Sequence, residues 1–153
     1  TGGPVIDQGM STSIPGIFAA GNVLHPVESS GWAALEGRRA GILLSKYLAG
    51  EIAAEQGRHA IEAGPGLEYL VPQRWDHSLA AQIDVPELRP TLRSSADFEH
   101  ACLVLRSDRE ILWQGKPKRQ IRKRRLKLDL SALQRDHRCR TLSVLITPPD
   151  RQP

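Results

Sequence analysis

Apolar and polar positions follow two different rhythms along this chain. From residue 30 to about residue 49 they recur at helical spacing, with Leu35, Leu43 and Tyr47 on one row and Leu44 and Leu48 beside them. That pattern predicts a helix. Ser29 or Ser30 stands at the N-cap position and Gly50 where a left-handed C′ residue belongs. Gly37 and Gly41 sit one turn apart, among Ala33, Ala34 and Ala40, so the helix can lie close against a neighbour. Ahead of it, residues 4–7 predict a short strand and residues 9–13 a polar turn. Ile14-Pro15-Gly16 predicts a tight turn. Residues 17–20 form a short apolar run stopped by Gly21-Asn22, the pattern of a parallel strand buried on both faces. A loop over residues 23–29 leads into the helix.

After residue 66 the rhythm changes to period two. Residues 67–71, 88–94, 101–106, 110–114, 121–130 and 141–147 predict strands. Leu126, Leu128 and Leu130 alternate with Arg125, Lys127 and Asp129, one face in and one face out. Asp108-Arg109 suits a hairpin turn, and Pro148-Pro149 ends the last strand. Residues 51–66 read as a helix tail running into a glycine-dotted connection that breaks at Gly64-Pro65-Gly66. The expected organisation is α+β. Residues 1–60 supply strands and a helix of an α/β layer, 61–76 are a linker, and 77–153 form a small antiparallel β-sandwich.

Composition alters this picture little. With 153 residues, 40% of them hydrophobic and 25% charged, the chain suits one ordinary domain or two small ones. No apolar run approaches the roughly 20 residues that span a membrane, and no signal peptide is visible at the start. Cys102 and Cys139 form neither a CxxC pair nor half of a zinc site, so a reducing, cytoplasmic setting with buried thiols is expected. The net charge of +4 is local. Lys116, Lys118, Arg119, Arg122, Lys123, Arg124, Arg125 and Lys127 fall within one short stretch.

The chemistry-bearing string runs from Thr1-Gly2-Gly3-Pro4-Val5-Ile6-Asp7 through Thr12-Ser13-Ile14-Pro15-Gly16-Ile17-Phe18-Ala19-Ala20-Gly21-Asn22 into the small-residue helix. In open α/β sheets, ligands bind beyond the carboxyl ends of strands. Gly21 lets the backbone approach a ligand there, and the Asn22 amide offers both a donor and an acceptor. The helix that follows begins with free N–H groups carrying partial positive charge.

This string resembles the carboxyl-terminal FAD motif of the pyridine nucleotide–disulfide oxidoreductase class. It is most similar to the flavin subunits of hydrogen cyanide synthase and opine oxidase type enzymes. It also resembles flavoproteins found with glycerol-3-phosphate dehydrogenase-like partners, in which Gly-Asn-Val-Leu-His recurs. The resemblance implies a Rossmann-like FAD-binding domain and FAD as cofactor. Gly21 would lie by the diphosphate and ribityl region, Asn22 would replace the usual aspartate on a ribityl hydroxyl, and Val23 beside them would also bind the cofactor. Ser30, Gly31 and Trp32 would lie by the pyrimidine edge of the ring, and Gly37 would let the helix pack on the sheet. A weaker likeness extends through Leu67-Glu68-Tyr69-Leu70-Val71-Pro72-Gln73-Arg74, the lead into a carboxyl-terminal β domain.

The class holds the FAD pyrophosphate on a GxGxxG loop, and this sequence contains none. The resemblance therefore implies the closing part of an FAD-dependent oxidoreductase. The expected partners are upstream FAD-domain sequence or a partner subunit, together with a small-molecule substrate. No membrane is expected, and such a piece is not expected to act as an enzyme alone. No catalytic acid or base and no metal ligand can be named, since the five histidines show neither HxH nor HExxH spacing. His25 lies in the expected flavin loop, either touching cofactor or substrate or standing in solvent. Trp32 would pack on the flavin or against the helix start, and Trp75 and Trp113 would pack in the β domain. The basic stretch has little aromatic interleaving beyond Trp113. That weighs against nucleic acid and favours a solvated strand face or an acidic partner subunit. The alternatives are a piece that binds no flavin and a basic β-domain module that docks a partner.

Overall fold

The computed structural model describes residues 2–25, 29–52, 59–76, 79, 83, 90–108, 110–128 and 141–148. The chain divides into two compact units. One comprises Thr1–Arg58 and Pro72–Leu88, the other His59–Val71 and Arg89–Pro153. The fold is mixed α and β.

The first unit holds a one-turn 3₁₀ helix at Gly21–Val23, the helix α1 at Ser30–Leu48, and a two-residue strand among Pro72–Leu88. Helix α1 matches its sequence signals. Ser29 is the extended N-cap residue. Past the C-cap Ala49, Gly50 takes φ +73° and donates to the Tyr47 carbonyl, while the Glu51 N–H reaches the Lys46 carbonyl. These two bonds make a Schellman motif. Alanine at position 50 would adopt that conformation at a cost of about 1 kcal/mol. Gly50→Ala is therefore expected to lower stability by about that amount in urea unfolding.

The two strands expected before α1 do not form. Residues 6–18 make a small hairpin-like fold joined by two isolated bridges, Ile6 to Thr12 and Ser11 to Phe18. The run at 17–20 is not buried on both faces, for Ile17 is exposed and Phe18 to Ala20 are half-buried. Among the described residues it has no strand on either side, so it has nothing to be buried between. The glycines of α1 also lack the close neighbour that their spacing suggested. A Cβ at Gly31, Gly37 or Gly41 would meet open space. Residues 61–76 are not a linker either, since they hold strands of both units, and Trp75 is a fully buried core residue of the first unit.

The strands, numbered in chain order, are β1 (His59–Ala63), β2 (Leu67–Val71), β3 (Arg74–Trp75, the strand of the first unit), β4 (Thr91–Ser94), β5 (Phe98–Ser107), β6 (Ile111–Gln114), β7 (Lys118–Gln120) and β8 (Thr141–Thr147). In the second unit β5 is central. It pairs antiparallel with β8 over Cys102–Ser107 and, along the opposite edge, with β6 and then β7. Its residues 101–105 are buried throughout, as a strand covered on both faces requires. β8 is a strand where one was expected, with Leu142, Val144 and Ile146 buried in alternation with half-buried neighbours. β2 and β4 form a separate antiparallel ribbon, tied by the Arg93 Nε–H donating to the Tyr69 hydroxyl at 2.6 Å.

Three expectations fail in this unit. β1 is a strand where a helix tail and linker were expected, and it joins β8 in parallel, so the assembly is not purely antiparallel. The strand expected over 121–130 is broken, and residues 129 and 130 lie outside the described residues. Lys123 takes φ +60° and the Arg124 N–H closes a turn onto the Ile121 carbonyl at 3.0 Å. The strand falls instead at β7. The in-and-out alternation survives the break, with Leu126 buried and Lys127 exposed. The hairpin turn lies at 107–110 as expected, with the Ser107 N–H donating to the Glu110 carbonyl at 2.9 Å; Arg109 is outside the described residues. Cys102 is a buried free thiol in β5, and Cys139 is outside the described residues.

Candidate functional site

The residues singled out by the sequence lie on the loop that ends at α1 and on the helix's first turn. Upstream, Asp7 organises the chain. Its Oδ1 accepts from the backbone N–H of Gly9 at 2.8 Å and of Ser11 at 3.0 Å, which carries the chain past Met10 at φ +64°. The Gln8 side chain bonds both backbone groups of Asp76, accepting from its N–H at 3.1 Å and donating to its carbonyl. Arg39 of α1 donates to the Gln8 carbonyl at 2.9 Å. Thr12 Oγ1 accepts from the Ile14 N–H at 3.2 Å. Pro15 and Gly16 then turn the chain, Gly16 at φ +80° and the Ile17 N–H on the Ile14 carbonyl at 3.1 Å. The Phe18 ring lies 5.6 Å from that of Tyr47, holding the hairpin to the helix.

The loop itself is fixed by one carboxylate. Ala20 is extended, and Gly21 turns the chain at φ +75°. Glu36, in the second turn of α1, receives the Gly21 N–H on Oε2 at 3.0 Å and the His25 Nε2 on Oε1 at 3.1 Å. His25 is wholly buried and Leu24 nearly so. His25 is therefore neither in solvent nor displayed to a ligand; it is a clamp between the loop and the helix. The Gly21 N–H likewise points to Glu36 rather than outward. A Cβ at Gly21 would meet Ala33 at an ordinary 3.5 Å, so glycine is required there by φ and not by crowding.

What remains displayed is Asn22 and Val23 on the loop, and Ser30, Gly31 and Trp32 on the first turn of α1, all exposed. The structure thus brings the loop and the helix together through Glu36. It leaves the Asn22 side chain and the first turn of α1 exposed. Glu36 was missed by the sequence reading, because nothing in its spacing from Gly21 or His25 marks a shared partner.

The surface around these residues is apolar. Gly31, Leu35, Arg38, Ile42 and Ser45 share one exposed face of α1, flanked by Ala34, Gly41 and Leu48. Arg38 is its one charged member. Leu35 is 55% exposed and Leu48 76%, and on the loop side Ile14 is 58% and Val23 59% exposed. The charged side of a solvated surface helix normally looks otherwise. Among the described residues no group of three or more His, Cys, Asp or Glu side chains could hold a metal ion. Among the described residues no helix is long and apolar enough to cross a membrane. Comparison with family models, with curated proteins and with solved structures found no match to this chain.

Proposed function

We propose that this chain contributes the ribityl and isoalloxazine side of an FAD site in an oxidoreductase with a Rossmann-like FAD-binding domain. The pyrophosphate loop would come from protein that this sequence does not contain. The observation that carries the reading is the uncovered apolar face of α1 with the loop beside it. Most of the exposed large hydrophobics belong to the first unit: Val5, Ile14, Ile17, Val23, Trp32, Leu35, Ile42 and Leu48. Large hydrophobics exposed in this number are rarely left in water and mark a face that other protein covers. It surrounds the very string that resembles the FAD motif.

The residues present fit such a cofactor. Asn22 can exchange hydrogen bonds with a ribityl hydroxyl, and the exposed start of α1 turns the positive end of its dipole toward an electron-rich carbonyl. Trp32 supplies an apolar wall. The Glu36 clamp holds loop and helix in one arrangement, so that these groups are presented together rather than searched for at each encounter. FAD, when bound, supplies the redox chemistry, and the protein positions and tunes it. The substrate is a small metabolite, and the setting is the cytoplasm.

The test is to isolate the native protein or complex that contains this sequence, record its visible spectrum and extract the cofactor. Stoichiometric FAD is the expected result, and a colourless complex sinks the reading. The 153-residue chain titrated alone with FAD is expected to bind weakly or not at all, because the pyrophosphate contacts are missing. Tight one-to-one binding by the chain alone would refute the division of the site.

A further inference from the structure

The second unit carries a small pocket that the flavin reading does not use. It lies beside the β5–β6–β7 edge and has a volume of about 150 Å³. Leu103, Leu126 and Trp113 give it apolar walls; Lys116, Lys118 and Lys127 stand around it. Gly115 shapes it, since a Cβ there would come within 2.9 Å of the Trp113 indole, so the bare backbone is what gives the ring its place. Gln120, the neutral polar residue in the lining, donates its amide to the Ala101 carbonyl at 3.3 Å. Among the described residues no acidic side chain lines the pocket.

The surrounding charge is one-sided. Residues 115–127 contain eight lysines and arginines and no acid, whereas the whole chain is only +4, so the remainder is net acidic. One exposed pair tempers this, Arg119 with Glu99 at 3.4 Å.

We propose that this pocket docks an acidic peptide segment of a protein partner. One bulky apolar side chain inserts between Trp113, Leu103 and Leu126, while acidic neighbours face Lys116, Lys118 and Lys127. The size fits, since an apolar cavity on the order of 150 Å³ accepts a single benzene-sized group. Charge complementarity selects the flanks and speeds encounter. Strand addition along this edge is disfavoured by Pro117, which lacks an N–H, and by the lysines beside it. The partner is therefore recognised through a side chain. A nucleic acid is the poorer occupant. Single strands are held by successive aromatic platforms, and this surface has one. Its neutral amide is already turned to the Ala101 carbonyl. Every residue invoked lies in the second unit, so the proposal stands or falls apart from the flavin reading.

The experiment is fluorescence anisotropy on the full chain with a dye-labelled peptide of alternating Glu and Asp around a central Phe. Comparators are the same peptide with Ser for Phe and a single-stranded oligonucleotide of equal charge. Binding of the Phe peptide is expected to weaken about tenfold with Ser, the worth of one buried aromatic group. It is expected to weaken about tenfold or more in the Lys116→Glu/Lys118→Glu/Lys127→Glu variant, and to fall with salt. These lysines are exposed, and an unchanged circular dichroism spectrum and melting curve checks that the variant folds. Equal affinity for the Phe and Ser peptides, preference for the oligonucleotide, or no binding at millimolar peptide overturns the proposal.

Discussion

Glu36→Ala is expected to destabilise the first unit by about 3 kcal/mol, because one carboxylate serves two buried or shielded donors. Gly21 is buried, and its N–H donates to Glu36 Oε2 at 3.0 Å; His25 is fully buried, with Nε2 3.1 Å from Oε1. Removing the side chain strands both groups away from water, and an unsatisfied buried polar group costs about 1–3 kcal/mol. Glu36→Gln is the informative companion. Its amide oxygen can keep the Gly21 bond, but its NH₂ meets His25 only if the imidazole changes tautomer so that Nε2 accepts. It should lose roughly half as much. Urea unfolding gives the stability, and hydrogen exchange at the Gly21 amide reports the loop directly. Protection of that amide should collapse in Glu36→Ala and persist in part in Glu36→Gln. A loss below about 0.5 kcal/mol in the alanine variant would mean that the loop is held by its surroundings and that Glu36 is incidental.

How far the sequence foretold this arrangement depends on where each element gets its partner. Helix α1 was legible nearly to the residue, because Ser29, the apolar spacing and Gly50 are local signals. β8 was legible because its buried positions alternate strictly. β1 was not. His-Ala-Ile-Glu-Ala carries no strong strand preference, and the strand it forms depends on bonding to β8, far along the chain. The run at 17–20 was read as a doubly buried strand since it is apolar, but burial needs neighbours that composition cannot supply. The break at Lys123 was hidden for another reason: lysine seldom adopts positive φ, and the turn there is imposed by bonding of the Lys123 N–H to the Ser94 carbonyl at 2.9 Å.

The candidate site divides along the same line. Asn22 lies in the 3₁₀ turn at Gly21–Val23 and Ser30, Gly31 and Trp32 open α1, so the helix start is where the local signals predict it, while the strand expected before Asn22 is missing. What holds them, the Glu36–His25–Gly21 clamp, is a tertiary construction, visible once the helix is laid against the loop. The glycines of α1 were read as a close-packing face. Their open surroundings instead link the fold to the proposed function, because a small-residue face and an exposed apolar row on one helix describe a surface made to be covered.

In the second unit the largest single-residue effect is expected at Gly66. The chain leaves β1 through Gly64-Pro65-Gly66 and enters β2, changing from the main sheet to the ribbon. The corner is laid against β8. The Gly64 N–H donates to the Val144 carbonyl at 2.7 Å, and the Ile146 N–H donates to the Pro65 carbonyl at 2.9 Å. Gly66 sits at φ +85°, and an added Cβ would fall 2.7 Å from the Ile146 Cβ, a branch point that no rotamer change can move. Gly66→Ala therefore meets two penalties at once: about 1 kcal/mol for the left-handed backbone, and about 2 kcal/mol more for overpacking against β8. Gly16→Ala separates them. Its φ of +80° is nearly the same, but its Cβ would meet nothing within 4 Å, so only the backbone cost should appear. In urea unfolding the two variants should differ by about 2 kcal/mol. Equal losses would show that β8 yields to the added methyl group, and that the corner depends on glycine for its conformation alone.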